Sequence, residues 1–356
     1  MISEIDIKNV DNADMYDLIK SFPEQAAEAI DIAKSAKLKL SLSKIRNIVI
    51  TGLGGSAIGG DILRSYSAGQ ASVPIIVNRS YTLSQFVDKN TLVVVSSYSG
   101  GTEETISAYA QAKKKGAQIL VITSGGKIGE VAEKSHGSWI KIPGGLPPRA
   151  ALGYSFFTML TAFQKAGIIR AKPAEVKETL ELLRNVRDEY SDYGNNPQPL
   201  KLAEQMVNAL PIVYSSSERL DAVNLRWRGQ ISENAKTVAY GNLFPEMNHN
   251  EIVGYSTLRD VLMRFTVIYL LDKEDHPRVK ARFDLVKEII RPYCMDVVEL
   301  HSQGKSLLAR MFSLIHFGDW LSFYLAVKKG VDPTPVTNID ILKKRLSRLN
   351  YAGFPM

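Results

Sequence analysis

Short apolar runs and helix-period stretches alternate twice along the chain. Between residues 12 and 40, Met15, Leu18, Ile19, Phe22, Ala26, Ile30 and Ala33 recur at the three-to-four spacing of a buried helical stripe, so helices precede the first strand. Ile48 to Thr51 is a short apolar run that ends in a glycine-rich loop, GLGGSAIGGD. Val73 to Val77, Leu92 to Val95, Ile119 to Ile122 and Trp139 to Ile142 read as further strands, closed respectively by a polar stretch, by SSYSGGTEE, by SGG and by PGGLPP. Apolar runs of this length, separated by helices, predict a parallel sheet covered by helices on both faces.

A helical stretch follows from 151 to 190, broken near Gly167 and Pro173, and YSDYGNNPQP (190–199) has the turn composition of a linker. The strand-and-helix rhythm then restarts. Pro211 to Tyr214 is a strand running into SSSERLD, and a helix is expected through Asn224 to Gly229. Further apolar runs lie at Thr237 to Tyr240, within Val261 to Leu271 and at Val297 to Leu300; helical pattern dominates from Ser306 to Lys329, and a short last helix starts near Thr337. The expected fold class is α/β with two parallel-sheet domains. The expected division is N-terminal helices (1–44), a first domain (45–150), a helical linker (151–199), a second domain (200–330) and a C-terminal helical segment (331–356).

Composition adds constraints without changing that picture. The chain has 356 residues, enough for two ordinary cores, with 45% hydrophobic and 23% charged residues. No apolar run reaches the ~18 residues of a membrane span, and the N-terminus lacks a basic-then-apolar leader pattern. The single cysteine, Cys294, has no partner for an internal disulfide. A soluble protein of the reducing cytoplasm is expected. The net charge of +7 favours anionic partners. The basic clusters Lys113–Lys115 and Lys343–Arg345 are short and come with no zinc-finger spacing or basic-region heptads, so small phosphates are expected rather than nucleic acid.

Two loops carry the candidate anion site. Gly52-x-Gly54-x-x-Ala57 after a strand also satisfies a dinucleotide fingerprint, but Asn78-Arg79 stands where a ribose-binding acid would be needed. The loop Ser96-Ser97-Tyr98-Ser99-Gly100-Gly101-Thr102 is more specific: four small hydroxyls and two glycines precede a helix whose first N–H groups favour a dianion. Helix capping alone would need one or two such residues.

A second cluster offers acid–base groups. Glu233 stands among Gln230, Asn234 and Lys236 with Arg226 and Arg228 upstream, and sixteen positions later His249 lies between Asn248 and Asn250. Nearby cations keep a carboxylate ionised while burial raises its basicity. A solvent-exposed helix salt bridge and a surface-loop histidine are the ordinary alternatives for the two. Glu246, His249 and Glu251 lack any specific metal-ligand spacing. His316, inside the apolar SLIHFGDWL, reads as a packed residue.

GLGGSAIGGD followed some forty residues later by SSYSGGTEET resembles the sugar-isomerase (SIS) domain of phosphosugar isomerases and phosphosugar-sensing regulators. That resemblance assigns the phosphate to Ser97, Ser99 and Thr102, with Gly54, Gly55 and Ser56 lining the neighbouring edge. PPRAALGYS, GQISENAK and EMNHNEIVG then resemble, in order, motifs of the bifunctional phosphoglucose/phosphomannose isomerase branch of the superfamily. The resemblance implies two SIS-type domains and a metal-independent, cofactor-free aldose–ketose isomerase acting on glucose 6-phosphate and fructose 6-phosphate, and on mannose 6-phosphate. It implies Glu233 as the base that moves a proton through a cis-enediol, Arg149 as the cation that stabilises the enediolate, and His249, supplied by the partner subunit of a homodimer, in ring opening. It also implies a ring-opening lysine and a threonine in the C-terminal segment. Ile339, Leu342, Leu346 and Leu349 mark the expected buried stripe of the last helix; Lys343 borders that stripe and Lys344 points away, which favours Lys343. The threonine is Thr334, with Thr337 the alternative. A non-catalytic phosphosugar sensor, another phosphosugar isomerase and a nicotinamide-dependent dehydrogenase are the competing readings; the last leaves SYSGGT unexplained.

Overall fold

The computed structural model describes residues 2–135 and 137–349. His136 and residues 350–356, the end of the expected C-terminal segment, lie outside the described residues. Three helices open the chain: α1 (Glu4–Val10), α2 (Met15–Lys20) and α3 (Phe22–Ser35). There follow β1 (Asn47–Thr51), α4 (Gly54–Ser67), β2 (Ile75–Asn78), β3 (Thr91–Ser96), α5 (Glu103–Lys114), β4 (Gln118–Thr123), α6 (Gly126–Lys134) and β5 (Ser138–Lys141). The five strands form a wholly parallel sheet in the order β2-β1-β3-β4-β5, with Ile50 opposite Val77 on one side and Val94 on the other.

Two long helices, α7 (Leu152–Lys165) and α8 (Pro173–Ser191), lead to α9 (Gln198–Met206). Pro173 occupies the first position of α8, where its missing N–H costs nothing. The second parallel sheet, ordered β7-β6-β8-β9, is built from β6 (Leu210–Ser216), α10 (Asp221–Asn234), β7 (Tyr240–Phe244), α11 (Arg259–Leu262), β8 (Phe265–Leu271), α12 (Pro277–Ile290) and β9 (Asp296–His301). The chain ends in α13 (Leu307–Lys328) and α14 (Thr337–Leu346).

Alternate strand residues serve opposite faces, as the two-residue period of a strand requires. Ile48, Ile50, Leu92 and Val94 pack into the main core, whereas Val49, Val93, Val95 and Val121 meet Ala108 and Ala112 of α5 and Ile128 and Ala132 of α6. In the second sheet Val213, Ile268 and Leu270 join the same main core, and Ile212, Tyr214, Val267 and Tyr269 face Phe283 and Val286 of α12. The main core runs unbroken from one sheet to the other through α7 and α13, and α13 is buried on every side from Leu308 to Val327. No helix among the described residues is long and apolar enough to cross a membrane.

Several local expectations change. Thr237 to Ala239 lie before β7 rather than in it, and Val261 falls in α11. The 190–199 stretch holds the end of α8 and the start of α9. Helix α10 continues past Gly229 to Asn234, so Glu233 is helical. The expected buried stripe of α14 is not buried: Ile339, Leu342, Leu346 and Leu349 are 41%, 56%, 40% and 52% exposed, and α14 buries none of its residues. An amphipathic pattern says that a face wants cover but not which molecule supplies it.

Candidate active site

The helix starts that follow β1 and β3 form the candidate anion-binding edge. Gly54 has φ +50°, in the left-handed region that favours glycine, and opens α4 directly after β1. A Cβ on Gly55 would lie 2.3 Å from the Pro148 carbonyl oxygen, so no side chain fits where α4 meets the segment carrying Arg149. Gly100, at φ +66°, would place a Cβ 1.8 Å from the Gly125 carbonyl oxygen, which lets the β3 loop press against the SGG loop after β4. The first N–H groups of α4 and α5, apart from that of Ser56, which donates to the Leu53 carbonyl at 3.1 Å, have no partner within their own helices and are aligned with the helix dipoles.

The small hydroxyls divide their work. Ser56 Oγ accepts the Tyr98 N–H at 2.9 Å and so ties the first loop to the second. Ser97 is buried and its Oγ donates to Thr102 Oγ1 at 3.5 Å; Ser99 Oγ, exposed, accepts the Gly101 N–H at 3.3 Å. Thr102 is the N-cap residue of α5, yet its side chain makes no capping bond. Ser56 is thus a brace between the loops as well as an edge residue, a role its position in the motif does not reveal.

Across from α4, the last turns of α10 complete a cavity of about 160 Å³. Gly54, Gly55 and Ile58 of α4 line one wall and Gly229, Gln230 and Glu233 of α10 the other, with Arg149 also on its surface. Arg79, at the end of β2, lines it too, ion-paired with Asp61 of α4. Ser97, Ser99 and Thr102 do not line this cavity; their loop is tied to its α4 wall by the Tyr98 N–H donated to Ser56.

Arg149 is only 3% exposed, and nearly every N–H it has is committed. Nε donates to Asn234 Oδ1 at 2.6 Å, and Nη2 donates to the carbonyls of Pro333 and Thr334 at 2.6 and 2.8 Å. Nη1 alone faces Glu233, 3.4 Å from Oε2. Burial lowers the arginine's proton affinity below the ordinary guanidinium value, and the Glu233 charge opposes that pull. The Glu233 side chain is 32% exposed, open to the cavity. The Lys236 ammonium, whose proton affinity burial and then Arg149 depress, donates to the carbonyls of Glu233 and Pro333.

The remaining expected residues lie further out. Thr334 reaches the site through its backbone carbonyl, and its buried Oγ1 has no partner among the described residues. Thr337, the first residue of α14, is exposed and does not cap it. His249 is exposed in a 3-10 turn (Glu246–His249) beyond β7, at the edge of the second sheet, and does not line the cavity. Behind it Glu251 accepts hydrogen bonds from Tyr214 and Asn242, which anchor the loop. Lys343 and Lys344 are both exposed on α14, and since that helix has no buried stripe, the geometric preference for Lys343 over Lys344 loses its basis.

Residues 195–346 match the family described as bacterial phospho-glucose isomerase C-terminal SIS domain, and residues 41–145 match the SIS domain. A bifunctional phosphoglucose/phosphomannose isomerase of Caldicellulosiruptor bescii is 46% identical over 94% of this chain and 99% of its own. The chain belongs to the bifunctional phosphoglucose/phosphomannose isomerase family. A second member of the family, from Aquifex aeolicus, is 34% identical over 94% of this chain and 99% of its own. The architecture extends further: the C-terminal domain of glucosamine-fructose-6-phosphate aminotransferase from Francisella tularensis superposes with a TM-score of 0.68 at 16% identity, covering 90% of this chain and 97% of that one. At that identity the likeness is one of fold. Within the family's two-sheet frame, sequence reasoning met Arg79 only as the residue standing in place of a ribose-binding acid, and passed over Asp319 and Ser322, where an acid and a hydroxyl inside a largely apolar helix were the available signal.

Proposed function

We propose that this protein is an aldose–ketose isomerase that interconverts glucose 6-phosphate and fructose 6-phosphate and also accepts mannose 6-phosphate. The likeness to bifunctional phosphoglucose/phosphomannose isomerases over nearly the full length of both chains supports the substrate class. One observation carries the chemistry: Glu233 faces the single Arg149 nitrogen not spent on structure, in a cavity that starts at the α4 N-terminus.

In this reading the phosphate ester rests on Ser97, Ser99 and Thr102 and on the N–H groups at Gly54 and Gly55, with Ser56 lining the same edge, where hydroxyls and helix dipoles favour a dianion. The opened sugar extends toward Glu233. The carboxylate removes the proton from carbon 2 of the aldose and returns it to carbon 1. As the carbon–hydrogen bond breaks, its electron pair forms the enediol double bond and negative charge builds on the carbonyl oxygen; a proton passes from the carbon 2 hydroxyl to that oxygen, so that carbon 2 becomes the carbonyl of the ketose when carbon 1 is protonated. Arg149 Nη1 donates to that oxygen, and because the other guanidinium nitrogens are already bound, the donor needs no reorganisation when the charge develops. Rotation of the enediol about the bond between carbons 2 and 3 presents either face to one base, which accounts for both epimers. The proton shuttle exchanges no electrons with an outside acceptor, so no redox cofactor is invoked, and Arg149 supplies the charge stabilisation that a Lewis-acid metal would otherwise give.

Ring opening falls to His249 and to one of the adjacent lysines, Lys343 or Lys344, with Thr334 lining the site. His249 stands away from the cavity of its own chain, which supports its donation to the site of a second copy in a homodimer. A cytoplasmic setting suits a chain whose one cysteine is buried. The division into 1–44, 45–150, 151–199, 200–330 and 331–356 is part of the same proposal. Neither nucleic acid nor membrane enters it.

The test is a coupled assay with glucose, mannose and heptose phosphates in the presence of a chelator, with Glu233→Gln beside the wild type. Chelator-resistant turnover of the glucose and mannose esters, lost in the variant, is expected. A wild type that binds the esters without turnover would make the protein a sensor, and preferred turnover of heptose phosphates would reassign its substrate.

A further inference from the structure

Arg149 is held from two directions by one turn of α13. Asp319, 3% exposed, accepts Arg226 Nη2 through both carboxylate oxygens at 3.0 Å and Gln230 Nε2 at 2.9 Å. The same Arg226 nitrogen donates to the backbone carbonyl of Arg149 at 3.0 Å. Three residues along α13, Ser322 Oγ accepts Asn234 Nδ2 at 2.9 Å and donates to the Asp319 carbonyl at 2.8 Å. Asn234 Oδ1 in turn accepts Arg149 Nε at 2.6 Å. Arg226, Gln230 and Asn234 are spaced four apart on α10, one above another on the face toward α13.

We infer that Asp319 and Ser322 are positioning residues for Arg149, fixing its backbone through Arg226 and its Nε through Asn234, so that, with Nη2 held by the Pro333 and Thr334 carbonyls, Nη1 alone is left to meet the enediolate. The inference rests on the reading of Arg149 given above. The geometry is economical for that purpose. A guanidinium can rotate about several bonds, and a hydrogen bond to its backbone alone would leave the fork free. Fixing both ends removes that freedom before substrate arrives. Burial makes the arrangement stiff as well, because leaving any of these polar groups unpaired inside the core costs the desolvation of that group. Neither Asp319 nor Ser322 lines the cavity, so neither touches the sugar.

The experiment is a double-mutant cycle read in kcat, KM and melting temperature. Asp319→Asn and Ser322→Ala are made alone and in an Arg149→Met background. Misplacing a catalytic group by about 1 Å costs up to ~100-fold in rate, so Asp319→Asn is expected to lower kcat by about 10- to 100-fold, with a smaller loss for Ser322→Ala and KM within about twofold in both. In the Arg149→Met background neither substitution is expected to lower kcat further, since the group they position is gone. A merely structural role would instead lower the melting temperature and leave kcat losses that multiply with that of Arg149→Met. Such multiplication, or unchanged kcat in both folded single variants while Arg149→Met is impaired, overturns the inference and leaves the reading of Arg149 standing. Unchanged kcat in Arg149→Met removes that reading and the inference together. Should Asp319→Asn fail to fold, Ser322→Ala decides by the same criteria.

Discussion

Arg149 and Glu233 stand 84 positions apart in the chain, yet Arg149 Nη1 lies 3.4 Å from Glu233 Oε2. One comes from the turn that ends the first sheet's segment and the other from the last turn of α10. The pair is loose enough for a substrate oxygen to replace the carboxylate as the arginine's partner. Replacing Glu233 by glutamine keeps the shape and removes the base. General-base catalysis contributes typically ~10²- to 10⁴-fold, and Glu233→Gln should lose at least the lower figure in kcat. The same variant should stop incorporating solvent deuterium at carbons 1 and 2. Persistent exchange at wild-type rate would take Glu233 out of the mechanism.

Arg149→Lys keeps a positive charge and loses the fork. One ammonium cannot bond Asn234 Oδ1, the two carbonyls of Pro333 and Thr334 and a developing oxyanion at once. Loss of a preorganised oxyanion donor costs about 10²- to 10³-fold in kcat, and that is the expected range, with KM changed only a few-fold because the phosphate loops are untouched. Steady-state kinetics on the purified variant measures both. A lysine variant with near-normal kcat would mean that charge alone suffices.

Gly55→Ala probes the wall shared by the phosphate edge and Arg149. The new methyl would sit 2.3 Å from the Pro148 carbonyl oxygen and 2.7 Å from its carbon, both backbone atoms that cannot swing aside. Either α4 or the segment bearing Arg149 must shift. Overpacking of this kind costs about 1–3 kcal/mol, so the melting temperature should fall and kcat should drop with it. Gly69→Ala is the control, since nothing lies within 4 Å of its Cβ position and it does not line the cavity that holds Glu233. Equal behaviour of the two variants would show that α4 yields without cost.

How much of this arrangement the residues announce depends on what each segment buries. Strands such as Leu92 to Val95 are legible because both faces are covered and every position is apolar. The glycine and hydroxyl loops are legible because few other needs explain them. The end of α10 was not, since Gly229 and the buried Arg226, Gln230 and Asn234 interrupt the apolar period that would have carried the helix to Asn234. Those polar residues are buried because α13 supplies partners for them, and no local pattern encodes a partner some ninety residues away. The last helix shows the converse: its apolar stripe was legible, its surroundings were not.

His249 offers a test of shared sites. It is exposed at the edge of the second sheet, away from the cavity that holds Glu233. If a second copy supplies it, a mixed dimer of Glu233→Gln and His249→Ala contains one intact site. Mixing the two inactive proteins should then restore up to about a quarter of wild-type activity: random exchange makes half of the dimers mixed, each with one working site of two. Native mass spectrometry on differently tagged subunits verifies the exchange. No recovery after proven exchange would place both residues in the same subunit's site.

His316 ties acid stability to the centre of the molecule. It is fully buried on α13, its Nε2 accepts the Trp320 indole N–H at 3.0 Å, and its ring stacks on Phe22. Burial first, then Arg187 and Arg226, push its proton affinity down to about 3. Unfolded, the ring takes a proton near pH 6.5. Between those two values the unfolded chain binds a proton that the folded protein refuses, so stability from this group is complete above pH 6.5 and falls as the pH drops toward 3. The slope is at most about 1.4 kcal/mol per pH unit. His316→Gln keeps an acceptor for Trp320 and removes the titration. Denaturant unfolding at pH 7 and pH 5 should therefore show the wild type losing about 2 kcal/mol more than the variant over that interval. Equal losses would mean that the folded protein protonates His316 as readily as the unfolded chain does, and that the α13 core admits a charge next to Arg226.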